Sequence, residues 1–323
     1  MRKELGIFIL LAVLCVVTDV KNPRFFSEFN MINMADNVGL FGIFSLGAGL
    51  VIITSGIDLS VGSMIALTGM LLVMALVDWH WSWPLALLFI IGVSAVLGAI
   101  HGLLITRLRI QPFIVTLCGL LLYRGIARYI AQDMTKGFGD AAGFQRLQYL
   151  ASGSFCKLPM PFIYLVILSI IMWVVLHCSV YGRYLYAVGR NEEAARFSGI
   201  NTRLVIASSY VIAAMLTGIA GVLFAFYTNS VTPSEQGNFY ELYGIAAAVV
   251  GGCSLRGGEG SVIGILIGVA LLQVLQNLVN LLNIPSSLNF AVMGAVVLIG
   301  VTADQLFRQR ALKKSAATRG KVA

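Results

Sequence analysis

The sequence predicts an all-α polytopic membrane protein of about ten transmembrane helices, with both termini cytoplasmic. Three observations carry this expectation. Of 323 residues, 59% are hydrophobic and only 11% charged, whereas soluble domains carry about a quarter charged residues. The mean hydropathy reaches +0.90. Long uncharged runs alternate with short polar connectors from end to end, so residues 1–323 read as one transmembrane domain with no room for a sizeable soluble one.

The first apolar run, 5–20, follows Met1-Arg2-Lys3-Glu4 and resembles a signal peptide. No small-x-small cleavage site comes after it, and Leu14 ahead of Cys15 is too bulky for lipoprotein processing, so an uncleaved first helix is expected. In the connector up to Asp36, the spacing of Phe25, Phe26 and Phe29 suits a segment lying in the membrane interface, or ordinary packing. A second helix is expected over 37–53 and a third over 61–77. Between them runs T-S-G-I-D-L-S-V-G-S, whose one carboxylate is Asp58. A bare carboxylate and non-helical backbone survive in a bilayer only at its face or against a wet, protein-lined cavity, so this break is a candidate hinge.

Trp79, Trp81 and Trp83 mark a membrane–water boundary. The fourth helix, 85–105, holds Gly98, Ala99 and Gly102, small residues that let helices approach closely, and His101 among them. The fifth, 113–130, follows Pro112, and its four-residue spacing of Arg124 and Arg128 sends both to one interface or aqueous mouth. The loop 132–161 reads as solvated. After a sixth helix, 162–180, residues 181–203 form the main soluble-looking segment. There Asn191 is placed to cap a short helix with Glu192 and Glu193 in its first turn and Gly199 as its stop. A seventh helix (204–227), a short eighth (242–253) that could be re-entrant, a ninth (261–282) and a tenth (288–304) precede a basic tail, 305–323.

The net charge of +8 does not form the basic face of a nucleic-acid-binding module. Lys and Arg gather in alternate connectors and the tail, as positive charge does when it sets membrane orientation. Five scattered cysteines with no Cys/His cluster argue against a metal site or a disulfide framework. No Walker A sequence and no catalytic constellation occur, so no catalytic residue is expected and any ATP and Mg must be bound by another chain.

Four motifs then identify a family. S-G-I-D-L-S-V-G-S (55–63), Q-P-F-I-V-T-L (111–117), A-V-G-R-N-E-E-A-A-R-F-S-G-I (187–200) and V-V-G-G-C-S-L-R-G-G-E-G-S-V-I-G (249–264) resemble, in order and over essentially the whole chain, the permease subunits of ribose-type monosaccharide ABC importers. Cys118 and His101 depart from the family's usual pattern. The resemblance implies a multi-pass bacterial inner-membrane subunit that pairs with a second permease subunit, a cytoplasmic ABC ATPase and an extracytoplasmic sugar-binding protein. It implies that Asn191, Glu192, Glu193, Ala194, Ala195, Arg196, Ser198, Gly199 and Ile200 couple the chain to the ATPase. Arg256, Gly257 and Glu259 would be a second contact.

Gly56, Asp58, Ser60, Gly62 and Ser63 are expected to form a hinge at the inner gate, Asp58 holding the turn by accepting backbone N–H bonds, with Gly69 a further place to bend. A sugar pathway needs neutral hydrogen-bonding walls. Asn37, Thr54, Ser55, Gln273, Gln276, Asn277 and Asn280 qualify, although such amides also bond neighbouring helices. Two rivals stand beside this reading. A branched-chain amino-acid permease would need buried charges for a zwitterion, and an ion-coupled secondary transporter would need titratable groups at mid-membrane, for which Asp58 is the strong candidate.

Overall fold

The computed structural model describes residues 2–139 and 143–282 together with single positions from Ile284 to Thr302. The expected tenth helix falls largely outside the described residues, and the basic tail wholly so. Among the described residues, seven helices are long and apolar enough to cross a membrane. They are α2 (Glu28–Ile53), α3 (Val61–Val73) continued by a wide π-turn (Met74–Asp78), α4 (Trp83–Arg107), α5 (Pro112–Ala131), α7 (Met160–Trp173) with a second π-turn (Val174–Cys178), α10 (Thr202–Thr228) and α12 (Val262–Leu281). A further long helix, α1 (Arg2–Lys21), packs on α12. The short helix is α11 (Tyr240–Val250). At about 1.5 Å per residue its length is about 16 Å, half the hydrocarbon thickness, so it cannot span alone.

Helices α2, α3 and α10 bury most of their surface and form the centre, while α4, α5 and α7 leave most of theirs exposed. Phe41 and Phe44 of α2, Phe224 of α10, and Tyr240 and Tyr243 of α11 pack ring against ring, with Phe44 stacked on Tyr240 at 6.0 Å. This aromatic cluster seats α11 on the central helices. The small residues of α4 meet α10 as expected. A Cβ at Gly98 would stand 2.7 Å from both Ala214 Cβ and the Tyr210 carbonyl, and one at Gly102 would stand 2.7 Å from Ala207 Cα. In lipid, such close backbone approach supplies the packing that hydrophobicity cannot.

Two connectors differ from expectation. The segment after α1 buries Phe25 and leaves Phe26 and Phe29 exposed. It makes one turn, and α2 begins at Glu28 with the Ser27 side chain capping Asn30 N–H, well before the expected start at 37. Its amides tolerate the helix because Asn30 and Asn277 of α12 exchange reciprocal hydrogen bonds of 3.1 and 2.6 Å. The long loop is not simply solvated either. It carries α6 (Gln145–Ser152), strand β1 (Lys136–Gly137), and the hairpin β2 (Ser154–Phe155) with β3 (Leu158–Pro159), and β1 pairs antiparallel with β4 (Ser230–Val231). Phe138 is fully buried and stacks on Phe226 of α10 at 4.3 Å, with Phe144 beside both. Ion pairs Lys136–Asp78 and Lys157–Glu28 hold this cap to the ends of α3 and α2.

The α4–α10 contact yields a test. Gly98→Leu is expected to destabilise the bundle by about 1–3 kcal/mol through overpacking, read as a lower thermal transition in detergent. Gly92→Leu, on the same helix where a Cβ meets nothing within 4 Å, should leave the transition in place. Equal transitions for the two variants would refute the contact.

Candidate functional site

Three chain breaks meet at one end of the bundle. The first is 54–60, between α2 and α3. The second is the end of α8 (Val180–Arg190), a helix capped by the Ser179 side chain on Gly182 N–H. The third is the turn 251–261, between α11 and α12. Ser55 has φ +65°, and this left-handed backbone aims its hydroxyl at two carbonyls, Gly189 O and Arg256 O, each 3.0 Å away. One proton is thus shared between two chain segments. Gly258 N–H donates to Ile53 O at 2.9 Å, and Tyr186 OH to Gly260 O at 2.8 Å. Two glycines are required here. A Cβ at Gly189 would run into Ile53 O, and Gly257, at φ +79°, would drive one into Ser55 Oγ. Cys253 lies buried under this junction, its sulfur against Gly260.

From the junction projects α9 (Glu192–Phe197). Asn191 Oδ1 accepts from Ala194 N–H at 2.9 Å, satisfying a first-turn donor. Gly199 at φ +86° closes the other end, where Ile200 N–H returns to Ala195 O at 3.1 Å. Thr202 Oγ1 donates to Glu192 Oε1 at 3.1 Å, tying α9 to the start of α10. Ala195 is buried, whereas Glu192, Glu193, Arg196, Ser198 and Gly199 face solvent. The residue that sequence reasoning passed over is Phe197. It is 83% exposed, with the Arg196 guanidinium 5.7 Å from its ring centroid. A large aromatic inside an otherwise polar capped turn was the available signal.

The break itself turns inward. Asp58 is only 5% exposed, and its Oδ1 accepts from Ser60 N–H at 2.8 Å and Ser60 Oγ at 2.6 Å. The carboxylate therefore closes a turn at the start of α3. Ser63 Oγ donates to Ser60 O at 2.8 Å, and Thr116 Oγ1 of α5 to Ile57 O at 3.1 Å. Nearby, His101 Nε2 and Tyr123 OH are hydrogen-bonded at 2.8 Å. Gly62 and Gly69 are helical here, and their missing side chains make room for neighbours rather than a bend: Gly62 lies against Gly237, and Gly69 against Val231.

A second segment reaches the same region from the opposite end. After β4, residues 232–239 fold back to the start of α3. Arg124 Nη1 donates to Pro233 O at 2.9 Å and Gln236 O at 2.6 Å. Glu241, 8% exposed, lays its carboxylate against Gly62. Arg128 does not share the fate of Arg124, because it pairs with exposed Asp133 at 2.6 Å. The expectation of one shared destination for the two arginines is thus corrected, and Asp58 is joined by a second buried carboxylate.

Four of the pathway candidates have hydrogen-bond partners of their own. Thr54 donates to Val51 O at 2.8 Å, and Ser55 belongs to the junction. Asn37 bonds Asn33 O at 2.8 Å within α2. Asn277 is spent on Asn30, while Gln273 is buried in α12 and Asn280 exposed at its end. Among the described residues no group of three or more His, Cys, Asp or Glu side chains could hold a metal ion.

A family model described as the branched-chain amino acid transport system / permease component matches residues 30–301. The ribose import permease protein of Bacillus subtilis (strain 168) is 38% identical over 316 residues, which is 94% of this chain and 93% of its own. The fructose import permease protein of Rhizobium meliloti is 32% identical over 295 residues, covering 88% of this chain and 80% of its own. The galactose/methyl galactoside import permease protein of Escherichia coli (strain K12) is 30% identical over 319 residues, 94% of each chain. No solved structure matches the chain.

The junction can be probed directly. Gly189→Ala should part α8 from the end of α2 and speed tryptic cleavage at exposed Arg190 and Arg196 by about fivefold or more, as local opening becomes cheaper. Cleavage at the wild-type rate would mean that the three breaks do not depend on one another.

Proposed function

The chain belongs to the branched-chain amino acid transport system permease component family, and from that premise we propose that it admits a neutral monosaccharide to the cytoplasm by ATP-driven alternating access. It is the permease subunit of a sugar ABC importer and a multi-pass inner-membrane protein. One observation carries the sugar reading: end-to-end similarity to permeases named for ribose, fructose and galactose. The argument from charge-free helices does not carry it, because Asp58 and Glu241 are both buried.

Permease subunits of this family do not hydrolyse ATP themselves, and a separate ATPase binding ATP and Mg is the expected partner. Its docking element would be α9, a rigid, doubly capped peg whose exposed face combines Glu192, Glu193 and Arg196 with the apolar knob Phe197. Exposed aromatics of this kind are the anchors that carry interface energy. Arg256, in the adjoining turn, would make the second contact, with Gly257 and Glu259 shaping it. Because Ser55 bonds both Gly189 O and Arg256 O, a push on α9 would reach the gate residues Gly56, Asp58, Ser60, Gly62 and Ser63 without passing through a loose linker.

A sugar-binding protein would meet the opposite end, where α6, the β2–β3 hairpin and the β1–β4 pair form a packed cap. A second permease subunit, ten helices in all and cytoplasmic termini complete the reading, supported by the distribution of Lys and Arg along the chain. Of the pathway candidates, Gln273, Gln276 and Asn280 keep that role, whereas Ser55 and Asn277 already have structural partners.

Two outcomes test this function. In proteoliposomes holding the permease, its ATPase and binding protein, labelled monosaccharide uptake should need ATP and survive an uncoupler. Uptake that runs without ATP and collapses with an uncoupler would establish the ion-coupled rival instead. Phe197→Ala should weaken ATPase binding about tenfold or more and cut coupled uptake, while the permease stays folded in detergent. Undiminished coupling would remove α9 from the docking role.

A further inference from the structure

Among the described residues, three buried side-chain polar atoms lack a hydrogen-bond partner: Asp36 Oδ1, Ser169 Oγ and Tyr210 OH. Tyr210 stands apart by its place. It lies on α10, is 1% exposed, and its hydroxyl presses on the 54–60 break, where a Cβ at Gly56 would collide with it. Its ring meets His101 edge-on at 6.3 Å. The polar groups around it are engaged. His101 is bonded to Tyr123, Asp58 Oδ1 takes both donors of Ser60, and Ser209, one residue earlier on α10, donates to Ile206 O.

A buried hydroxyl that has given up water and gained nothing destabilises the state that contains it. Phenylalanine would fill the same space without that penalty. A protein that alternates between two states draws use from such a group when it is paired in the other state, since the difference shifts the equilibrium. On the transport reading given above, we propose that Tyr210 is a positioning residue of the transport cycle, whose hydroxyl donates to the Asp58 carboxylate in the state opposite to the one described. Asp58 is the acceptor because it is the charged group of the break on which the Tyr210 hydroxyl presses. The motion required is a slide of 56–59 against α10. Ser55, fixed to the junction, is where that motion would enter.

The test uses the complete transporter in proteoliposomes. Tyr210→Phe should unfold at the wild-type temperature or above it, yet take up sugar about tenfold more slowly, the usual scale for one hydrogen bond to a charged group. The binding-protein concentration giving half-maximal uptake should not rise. Tyr210→Phe combined with Asp58→Asn should be no slower than the slower single variant, because both act on one bond, Phe removing its donor and Asn the charge of its acceptor. Wild-type uptake by Tyr210→Phe would overturn the proposal. So would a lowered unfolding temperature, which would mean that the hydroxyl is already paired in the described state, and so would multiplying defects in the double variant. A wild-type complex with no ATP-driven sugar uptake would sink the transport reading and this proposal with it, whereas the other outcomes leave that reading intact.

Discussion

Everything at the working end of this protein follows from one constraint: backbone that leaves a helix inside or beside the bilayer must find hydrogen-bond partners in protein. The chain breaks three times at that end, and the breaks satisfy one another. Ile53 O, the last carbonyl of α2, is taken by Gly258 N–H, while Gly189 O and Arg256 O share the Ser55 hydroxyl. Side chains with any Cβ at Gly189 would force these segments apart. The mutual dependence makes one unit from segments as much as 201 residues apart along the chain.

The deeper break obeys the same rule by other means. Asp58 supplies an acceptor to Ser60, Thr116 supplies a donor to Ile57 O, and Glu241 packs its carboxylate against Gly62 in the first turn of α3. Arg124 in turn occupies the carbonyls of the 232–239 segment. Two irregular stretches, entering from opposite ends, thus meet around the first turn of α3. Half-length α11 is the consequence, since its missing half is the segment folded back to reach this point.

Much of this was legible in the sequence. The uncharged runs marked the long helices, and the Asn191 and Gly199 capping signals marked α9, because both depend only on residues close along the chain. What escaped depended on distant partners. Asn30 reads as connector until Asn277, far along the chain, is beside it. Phe138 reads as loop until it stacks on Phe226. Arg124 and Arg128 are indistinguishable by spacing, and only the fold offers one a pair of buried carbonyls and the other an exposed carboxylate. The amide stripe of α12 was ambiguous for the same reason. Its members were equally suited to a pathway or a helix contact, and Asn277 makes the contact.

The buried carboxylates also change what distinguishes a sugar permease from its amino-acid relatives. Absence of charge cannot be the criterion when Asp58 and Glu241 sit in the centre of the bundle. Their partners are the better guide. Asp58 accepts from the Ser60 N–H and Glu241 lies against Gly62, both at the first turn of one helix. The helix dipole favours negative charge there. Charges already committed to holding a helix terminus are poorly placed to meet the ammonium group of a zwitterion. They are well placed to make the start of α3 a fixed point about which the neighbouring break can move.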